Sequence, residues 1–358
     1  MLKLPSFIQR FISEFKKNGF QIYLVGGIVR QLILEKEGDW NLADFATDAT
    51  PREVQKLYSS SFYENRFGTV GVKIQNQKKE YIFEVTTFRK EGEYKDLRHP
   101  EKIEWAKKVE DDLARRDFTI NAMAYDGEKI IDLFNGQKHL KEKLIVAVGD
   151  PDKRFKEDAL RLIRAVRFAA ELGFLIEEKT RKSIQKNADL ITKIAVERVR
   201  DELFKILASD NPGDGILLLR NVGLLPYILP EVDFNFAIPQ KSPLRHHIFD
   251  VGTHLVMSLK HCPSYDVITR FATLLHDVGK SKTFKKDEKT GLITFYNHEV
   301  VGAKMSEKIA SRLKLSKKEK HKLVTLVRHH QFTVTELQTD KAVRRFIRNV
   351  GKEYLKDM

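Results

Sequence analysis

The sequence predicts a mixed α and β N-terminal part followed by an all-helical remainder. Within residues 1 to about 140, short β-rich segments alternate with helical stretches, as an α/β or α+β unit requires. From Pro151 onward the strand signals fade, and apolar residues recur at helical spacing between many charges. The 358 residues, 42% of them hydrophobic, exceed one ordinary domain, so we expect two or three packed units.

Local patterns predict the individual elements. β-branched and aromatic runs predict strands at 22–25, 71–74, 81–87 and 129–132. Apolar residues at helical spacing predict helices over 157–172 and 196–207. The stretches 212–215 and 239–243 have the Pro and Gly content of connectors. The second of these is the expected boundary before a C-terminal helical unit.

Charge and cysteine content narrow the class of protein. Lys and Arg total 64 against 50 Asp and Glu, and the net charge of +14 favours a polyanionic partner, with nucleic acid as the natural candidate. The alternative is a Lys-rich surface that only keeps the protein soluble. The single cysteine, Cys262, fits a reducing compartment. No membrane-length apolar run and no apolar signal-peptide core are present, so we expect a cytoplasmic protein with no membrane partner.

The most informative segment joins a glycine pair to nearby carboxylates. The apolar strand 22–25 runs into Gly26 and Gly27, where missing side chains allow a triphosphate to approach the backbone and a helix N-terminus. Asp39 and Asp44 follow, and carboxylates of this kind hold Mg²⁺. The combination predicts a nucleotidyl-transfer site, whereas the glycine pair alone would favour a structural turn.

Phosphoryl transfer from a nucleoside triphosphate needs a divalent ion held by several carboxylates. Glu84 lies inside a β-branched run and is the natural third acid from a neighbouring strand. The alternative for Glu84 is an ordinary outward-facing strand residue.

Five segments together resemble the bacterial and eukaryotic class of CCA-adding tRNA nucleotidyltransferases, within the poly(A) polymerase family. They are long, they follow the family's order, and they lie at 26–30, 44–51, 83–89, 112–122 and 154–168. The resemblance implies an α+β fold with a polymerase-beta-like nucleotidyltransferase head, followed by an all-helical neck, body and HD-type tail. It implies a head over 1–140, a neck and body over 141–240, and an HD-type domain over 241–358.

The resemblance also implies an activity. Such an enzyme adds C, C and A to the 3′ end of tRNA from CTP and ATP, without a nucleic-acid template and with Mg²⁺ as cofactor. Rival functions are an A-adding enzyme or poly(A) polymerase of the same family, and a tRNA-binding protein with an impaired transferase site.

Residue roles carried over from the resemblance fall into two groups. Five residues would contact or lie near the triphosphate: Gly26, Gly27, Arg30, Arg115 and Arg116. Four would select the base, with a carboxylate and a guanidinium matching the edge of C or A and two arginines supporting them: Asp158, Arg161, Arg164 and Arg167. From spacing alone, Asp158, Arg161 and Arg164 would form an ion-paired face of one helix.

The acidic motif departs from the family pattern. The family has Asp-x-Asp before its Ala-Thr segment, whereas Leu42 occupies the first acidic place if Asp44 is the second. Gln31 likewise follows Arg30 where an Asp is usual. An alternative alignment uses Asp39, with Asn41 as its partner. We therefore expect the catalytic metal set to be drawn from Asp44, Glu84 and Asp39.

Two further segments have expected roles. The stretch 89–100 is charged, contains glycine and lacks apolar periodicity, so it predicts a mobile loop, and it resembles the loop that the family uses in switching from C to A. An ordinary surface connector is the alternative. Basic side chains suited to tRNA phosphates follow in the helical region: Arg245, Lys317, Lys318, Lys320, Arg344, Arg345 and Arg348.

The C-terminal third resembles an HD phosphohydrolase domain. His254 and the pair His276 and Asp277 are its expected metal ligands, and His298 and the pair His329 and His330 belong to the same resemblance. The family's last metal-binding Asp would fall beyond Met358, so we expect a truncated, metal-poor HD domain with little hydrolase activity.

Overall fold

The computed structural model describes residues 2–35, 40–41, 43–65, 68–92, 103–241, 248–332 and 338–358. The chain forms two compact units. The first comprises Met1–Arg161 with Phe174–Ile184, and the second comprises Leu162–Gly173 with Gln185–Met358. Among the described residues, none of the helices combines the length and the apolar character needed to cross a bilayer.

A seven-stranded mixed sheet organises the first unit. Its order is β3-β4-β5-β2-β1-β8-β9, and β2 pairs with β5 in parallel while the other neighbours are antiparallel. The strands of the described chain are β1 (Ile22–Val25), β2 (Ala43–Thr47), β3 (Ser61–Asn65), β4 (Thr69–Asn76), β5 (Lys79–Thr87), β6 (Arg89–Glu91), β7 (Ile103–Trp105), β8 (Met123–Tyr125), β9 (Ile130–Asp132), β10 (Leu144–Ile145), β11 (Leu175–Ile176), β12 (Lys285–Lys286) and β13 (Ile293–Thr294).

Helices surround this sheet and make up most of the second unit. They are α1 (Ser6–Lys17), α2 (Gly27–Ile33), α3 (Pro51–Leu57), α4 (Val109–Ala114), α5 (Gly136–Lys141), α6 (Pro151–Glu157), α7 (Leu160–Leu172), α8 (Glu178–Lys186), α9 (Val196–Ala208), α10 (Pro212–Asn221), α11 (Leu225–Ile228), α12 (Pro230–Phe234), α13 (Val251–Lys260), α14 (Val267–Leu275), α15 (Lys280–Thr283), α16 (His298–Arg312), α17 (Lys317–His329) and α18 (Asp340–Val350). The fold is therefore α+β with a helical remainder, as expected.

Strand alternation gives the central sheet two different faces. On one face, Phe11 of α1 packs against Phe45 of β2 and Phe83 of β5, with ring centroids 4.8 and 4.9 Å apart. These three rings are almost completely buried. Asp44 precedes Phe45 and Glu84 follows Phe83, so both carboxylates lie on the opposite face, because successive strand side chains alternate. The aromatic face thus anchors the two strands that carry the carboxylates.

Two local predictions are wrong. Residues 212–215 are not a connector but the first turn of α10, since Pro212 occupies an early helical position and Gly213 and Gly215 allow close packing against Lys260 and Ile206. The predicted helix 157–172 is interrupted at Asp158, where α6 ends before α7 begins. Two short strand pairs, β10 with β11 and β12 with β13, also lie in the region expected to be all helical.

Candidate functional site

The two carboxylates of the head lie side by side on paired strands. In the parallel pairing of β2 with β5, Asp44 is the register partner of Glu84, and both side chains are half-buried. Burial raises the pKa of the Asp44 carboxyl, and the nearby Arg116 guanidinium partly opposes that rise. The arrangement is two adjacent oxygen donors on one sheet face, as a Mg²⁺ site requires. Asp39 and Leu42 lie outside the described residues.

The glycine pair borders these carboxylates. Gly26 ends the turn after β1 with φ 71° and ψ −139°, a conformation that favours glycine, and α2 begins at Gly27 as predicted. A Cβ added at Gly26 would lie 3.2 Å from Asp44 Oδ2 and 3.3 Å from Arg116 Nη1. The backbone therefore comes close to the Asp44 carboxylate and the Arg116 guanidinium at the same point.

Three arginines of the motifs are held by buried partners. Arg30 of α2 is buried, and its guanidinium donates to Asn121 Oδ1. The fully buried Asp112 forms ion pairs with Arg115 at 2.6 Å and with Arg116 at 3.1 Å. Burial tends to raise the pKa of the Asp112 carboxyl, but the two guanidiniums outweigh that effect and hold the pKa below its usual value.

The proposed selection residues are arranged differently from the helix face expected from spacing. Asp158 precedes α7 and accepts from the Leu160 backbone amide at 3.1 Å. Arg161 instead pairs with Glu157 at 3.0 Å and donates to the Arg115 backbone carbonyl at 3.0 Å. The expected intrahelical face is wrong because Asp158 lies outside the helix.

Arg164 and Arg167 belong to the second unit. Arg167 Nε lies 2.9 Å from the buried Glu202 carboxylate, and Arg164 lies 4.0 Å from it. The Arg167 guanidinium also stacks over the Phe168 ring, 3.9 Å from its centroid. These contacts fix both arginines on α7.

The segment expected to be a mobile loop begins with a strand. Residues Arg89–Glu91 form β6, which pairs antiparallel with β7, so the loop expectation is wrong for these three residues. Its part over 93–100 lies outside the described residues. Of the basic side chains expected to meet tRNA phosphates, Arg245 also lies outside, Lys320 is half-buried, and five are exposed: Lys317, Lys318, Arg344, Arg345 and Arg348.

A cluster of histidines surrounds Asp277 in the second unit. Asp277 Oδ2 lies 3.3 Å from His254 Nε2 and 3.2 Å from His276 Nε2. Its other oxygen, Oδ1, lies 3.0 Å from His298 Nε2 and 3.4 Å from His330 Nε2. Burial alone would raise the pKa of the Asp277 carboxyl, but hydrogen bonds from the four imidazoles outweigh it and hold the pKa well below its usual value.

The histidine orientations suit metal ligation. Nδ1 of His276, His298 and His330 each faces a backbone carbonyl three residues earlier, at 2.7, 2.8 and 2.8 Å. These carbonyls can hold a proton on Nδ1 when a metal ion takes the place of the Nε2 proton that otherwise faces Asp277, as in ligating histidines. The ligand atoms form two groups that share Asp277, one with His254 and His276 and one with His298 and His330.

The cluster opens into a cavity of about 470 Å³ that is also lined by Lys280, Tyr296 and Gln331. The sequence-based set of three ligands was incomplete, because the structure adds His298 and His330 from α16 and the end of α17. Both residues were part of the HD resemblance, but their chain separation could not show that they meet Asp277.

Three family models match consecutive parts of the chain. The poly(A) polymerase head domain matches residues 22–146, the "Probable RNA and SrmB- binding site of polymerase A" matches residues 173–235, and the HD domain matches residues 246–349. The chain is therefore similar to poly(A) polymerases over the first two matched segments and to HD domains over the third. A head of this nucleotidyltransferase type implies dependence on a divalent metal, which the adjacent oxygens of Asp44 and Glu84 fit.

Curated CCA-adding enzymes are similar to part of the chain. The chain is 42% identical over 220 residues to the CCA-adding enzyme of Geobacillus kaustophilus, covering 61% of this chain and 53% of that protein. It is 47% identical over 209 residues to that of Lactobacillus helveticus, covering 57% and 51%. The chain thus spans about half the length of the curated relatives it matches.

Solved structures support the fold. The CCA-adding enzyme of Bacillus stearothermophilus in complex with CTP matches with a TM-score of 0.73 and 26% identity, covering 99% of this chain and 77% of that one. The Thermotoga maritima CCA-adding enzyme complexed with tRNA matches with a TM-score of 0.59 at 17% identity, covering 99% and 82%. The second likeness concerns the fold alone.

Proposed function

We propose that this chain adds C, C and A to the 3′ end of tRNA from CTP and ATP, with release of pyrophosphate. The observation that carries the proposal is the in-register pair Asp44 and Glu84, bordered by Gly26 and Arg116. The head over 1–140 would catalyse transfer, and the neck and body over 141–240 would select the nucleotide and bind RNA. The HD-type domain would occupy 241–358.

Asp44 and Glu84 would hold Mg²⁺, and Asp39 is the proposed additional ligand. When bound, Mg²⁺ supplies charge neutralisation on the transferring phosphate and activation of the attacking hydroxyl. Glycine at 26 and 27 leaves room for the triphosphate beside the backbone. Arg30, Arg115 and Arg116 would bind its negative oxygens, because guanidinium forks match phosphate geometry.

Selection of C and A over U and G would rest on Asp158 and Arg161. A carboxylate accepts from the exocyclic amine that C and A share, and a guanidinium donates to a ring acceptor. Arg161 is already fixed by Glu157 and by the Arg115 carbonyl, so its position is set before a nucleotide arrives. Arg164 and Arg167 would support Asp158 and Arg161 in this selection.

The names of similar proteins favour CCA addition over A addition alone and over poly(A) synthesis. The curated relatives cited above are CCA-adding enzymes, and the B. stearothermophilus structure contains CTP. A reducing cytoplasm, where tRNA matures, fits a chain with one cysteine.

The test uses three tRNA transcripts that end before the CCA, after its first C and after its second C. Each is incubated with Mg²⁺ and labelled CTP or ATP, and products are resolved at single-nucleotide length. The proposal expects C, C and A to be added in order and growth then to stop. Glu80→Gln, an exposed change on the same strand as Glu84, is the matched control and should leave the products unchanged.

Each rival function predicts a different outcome. Addition of A only to the transcript that ends in CC identifies an A-adding enzyme. Continued A addition identifies a poly(A) polymerase. Tight tRNA binding without incorporation at any Mg²⁺ or Mn²⁺ concentration identifies a binding protein whose transferase site is impaired.

A second candidate function, metal-dependent phosphohydrolysis, is favoured by the histidine cluster. The expected metal-poor domain assumed three ligands, whereas Asp277 and four histidines form two ligand groups beside an open cavity. Bound Mn²⁺ per chain and hydrolysis of a 2′,3′-cyclic phosphate should both fall in His276→Ala and His298→Ala. His261→Ala, exposed at the end of α13 and outside these ligand groups, is the matched control. Metal content that stays unchanged in both cluster variants would contradict the candidate.

A further inference from the structure

Asp112 is a fully buried carboxylate that holds two consecutive arginines. Its Oδ1 accepts from Arg115 Nε at 3.0 Å and Nη2 at 2.6 Å. Its Oδ2 accepts from Arg116 Nε at 3.3 Å and Nη2 at 3.1 Å. Each guanidinium therefore presents two donors to one oxygen, and both side chains remain 18% exposed at the surface of the head.

These contacts of Asp112 with Arg115 and Arg116, called the Asp112 clamp, determine where the Arg116 guanidinium lies. With Nε and Nη2 turned to Asp112, the remaining nitrogen Nη1 faces the space above Gly26 that Asp44 Oδ2 also borders. Arg116 acts electrostatically on the Asp44 carboxyl. The guanidinium thus lies between a buried carboxylate behind it and a proposed metal ligand in front of it.

An unclamped Arg116 would have a stronger partner in Asp44. Guanidinium and carboxylate groups form short two-point contacts when no other anion engages the guanidinium. Such a pair would occupy the oxygens that a divalent ion needs, so arginine and metal would compete for Asp44. Asp112 removes that competition by satisfying two of the donors of Arg116.

We propose that Asp112 is a positioning residue: it aims Arg115 and Arg116 at the triphosphate and keeps Arg116 from closing on Asp44, which leaves that carboxylate available to the metal. The inference rests on the proposed nucleotidyl transfer. The alternative is a buried ion pair that only stabilises the fold, and that role would not change the metal requirement.

The experiment compares Asp112→Asn with Asp111→Asn. Asp111 is the neighbour on α4, is more exposed and pairs with Lys90 at 3.2 Å. The Mg²⁺ concentration for half-maximal CTP incorporation should rise about tenfold in Asp112→Asn and should not change in Asp111→Asn. Tenfold corresponds to a change of one pKa unit in the interaction of Asp44 with its surroundings. Adding Arg116→Ala to Asp112→Asn should bring the Mg²⁺ requirement back down, even if turnover stays low.

Metal binding provides a readout that does not need activity. Mn²⁺ affinity is measured by electron paramagnetic resonance in a His276→Ala and His298→Ala background, which removes the second cluster. Asp112→Asn should weaken Mn²⁺ binding about tenfold there as well. If the wild-type chain incorporates no nucleotide, the proposed function fails. The ratio of Mn²⁺ affinities with and without Asp112→Asn still tests whether Asp112 keeps Arg116 away from Asp44.

Destabilisation is separated from positioning by a second variant. If Asp112→Asn does not fold, as judged by circular dichroism, the same measurements are made on Asp112→Glu, which keeps the charge and should show a smaller rise in metal requirement. A folded variant whose Mg²⁺ requirement and Mn²⁺ affinity equal those of the wild type, at unchanged or reduced stability, overturns the proposal.

Discussion

Gly26→Ala should damage the active site more than it damages the fold. At φ 71° and ψ −139°, an alanine would be strained by about 1–3 kcal/mol. Its methyl group would also lie 3.2 Å from Asp44 Oδ2 and 3.3 Å from Arg116 Nη1, so both groups would have to shift by a few tenths of an ångström. The two side chains that the site needs most would therefore move together.

Gly19→Ala is the matched control for the strain. Gly19 also has a left-handed φ, 83°, but a Cβ there would meet nothing within 4 Å. A strain of about 1–3 kcal/mol in each variant should lower the melting temperature by roughly 2–12 °C, at about 2–4 °C per kcal/mol for a unit of this size.

The assay is CTP incorporation at a temperature at which both variants are folded. Gly19→Ala should keep wild-type turnover. Gly26→Ala should lose about 10-fold, because Asp44 and Arg116 must each shift by a few tenths of an ångström, and a misplacement of about 1 Å costs a positioned reaction about 100-fold. Equal turnover in the two variants would refute the account of Gly26. Backbone strain alone would then explain the effect of Gly26→Ala, without any displacement of Asp44.

Three further predictions concern selection, stability and pH. Asp158→Ala and Arg161→Ala should each relax discrimination against UTP and GTP by about 10- to 100-fold in competition assays, before tRNA affinity falls, because an unmatched base edge is then no longer penalised; full selectivity in both variants would count against their role. Glu202→Ala should lower the free energy of unfolding by about 3 kcal/mol in urea titrations, since it leaves the buried Arg167 without its 2.9 Å partner, and a loss below 1 kcal/mol would be inconsistent with a tight pair. The pKa of Asp112 is lower in the folded chain than in the unfolded chain, where it is near 4, so its ionised form stabilises the fold above about pH 4 and this contribution is lost as the pH falls through the folded-state pKa. The free energy of unfolding should therefore fall less steeply with acidification in Asp112→Asn than in the wild type. An identical fall in both proteins would contradict the buried ion pairs.

The parts of the fold that follow from local pattern were predictable from the sequence. The strand at 22–25 and the start of α2 at Gly27 lie where an apolar run meets a glycine pair. Pro212 misled the prediction because proline early in a helix and proline in a connector have the same composition. Asp158 misled it too, since a residue that caps a helix can have the same spacing as one within it.

The candidate site depends on contacts between residues far apart in the chain. Glu84 could be nominated from its strand, but its register with Asp44 depends on a parallel pairing that local sequence does not determine. The histidine cluster likewise forms only because separate helices bring His298 and His330 to Asp277. The clamp by Asp112 was not predicted, although its spacing of three and four residues from the arginines was a usable signal.

The central claim is that Asp44 and Glu84 hold the ion that supports nucleotide transfer, and the most direct measurement is the Mg²⁺ dependence of CTP incorporation in their amide variants. Asp44→Asn and Glu84→Gln should abolish incorporation at every Mg²⁺ concentration while tRNA affinity, measured by fluorescence anisotropy, stays within about twofold, because these carboxylates serve the metal and not the RNA. Wild-type turnover in either variant, or a loss of tRNA binding that matches the loss of incorporation, would contradict the account.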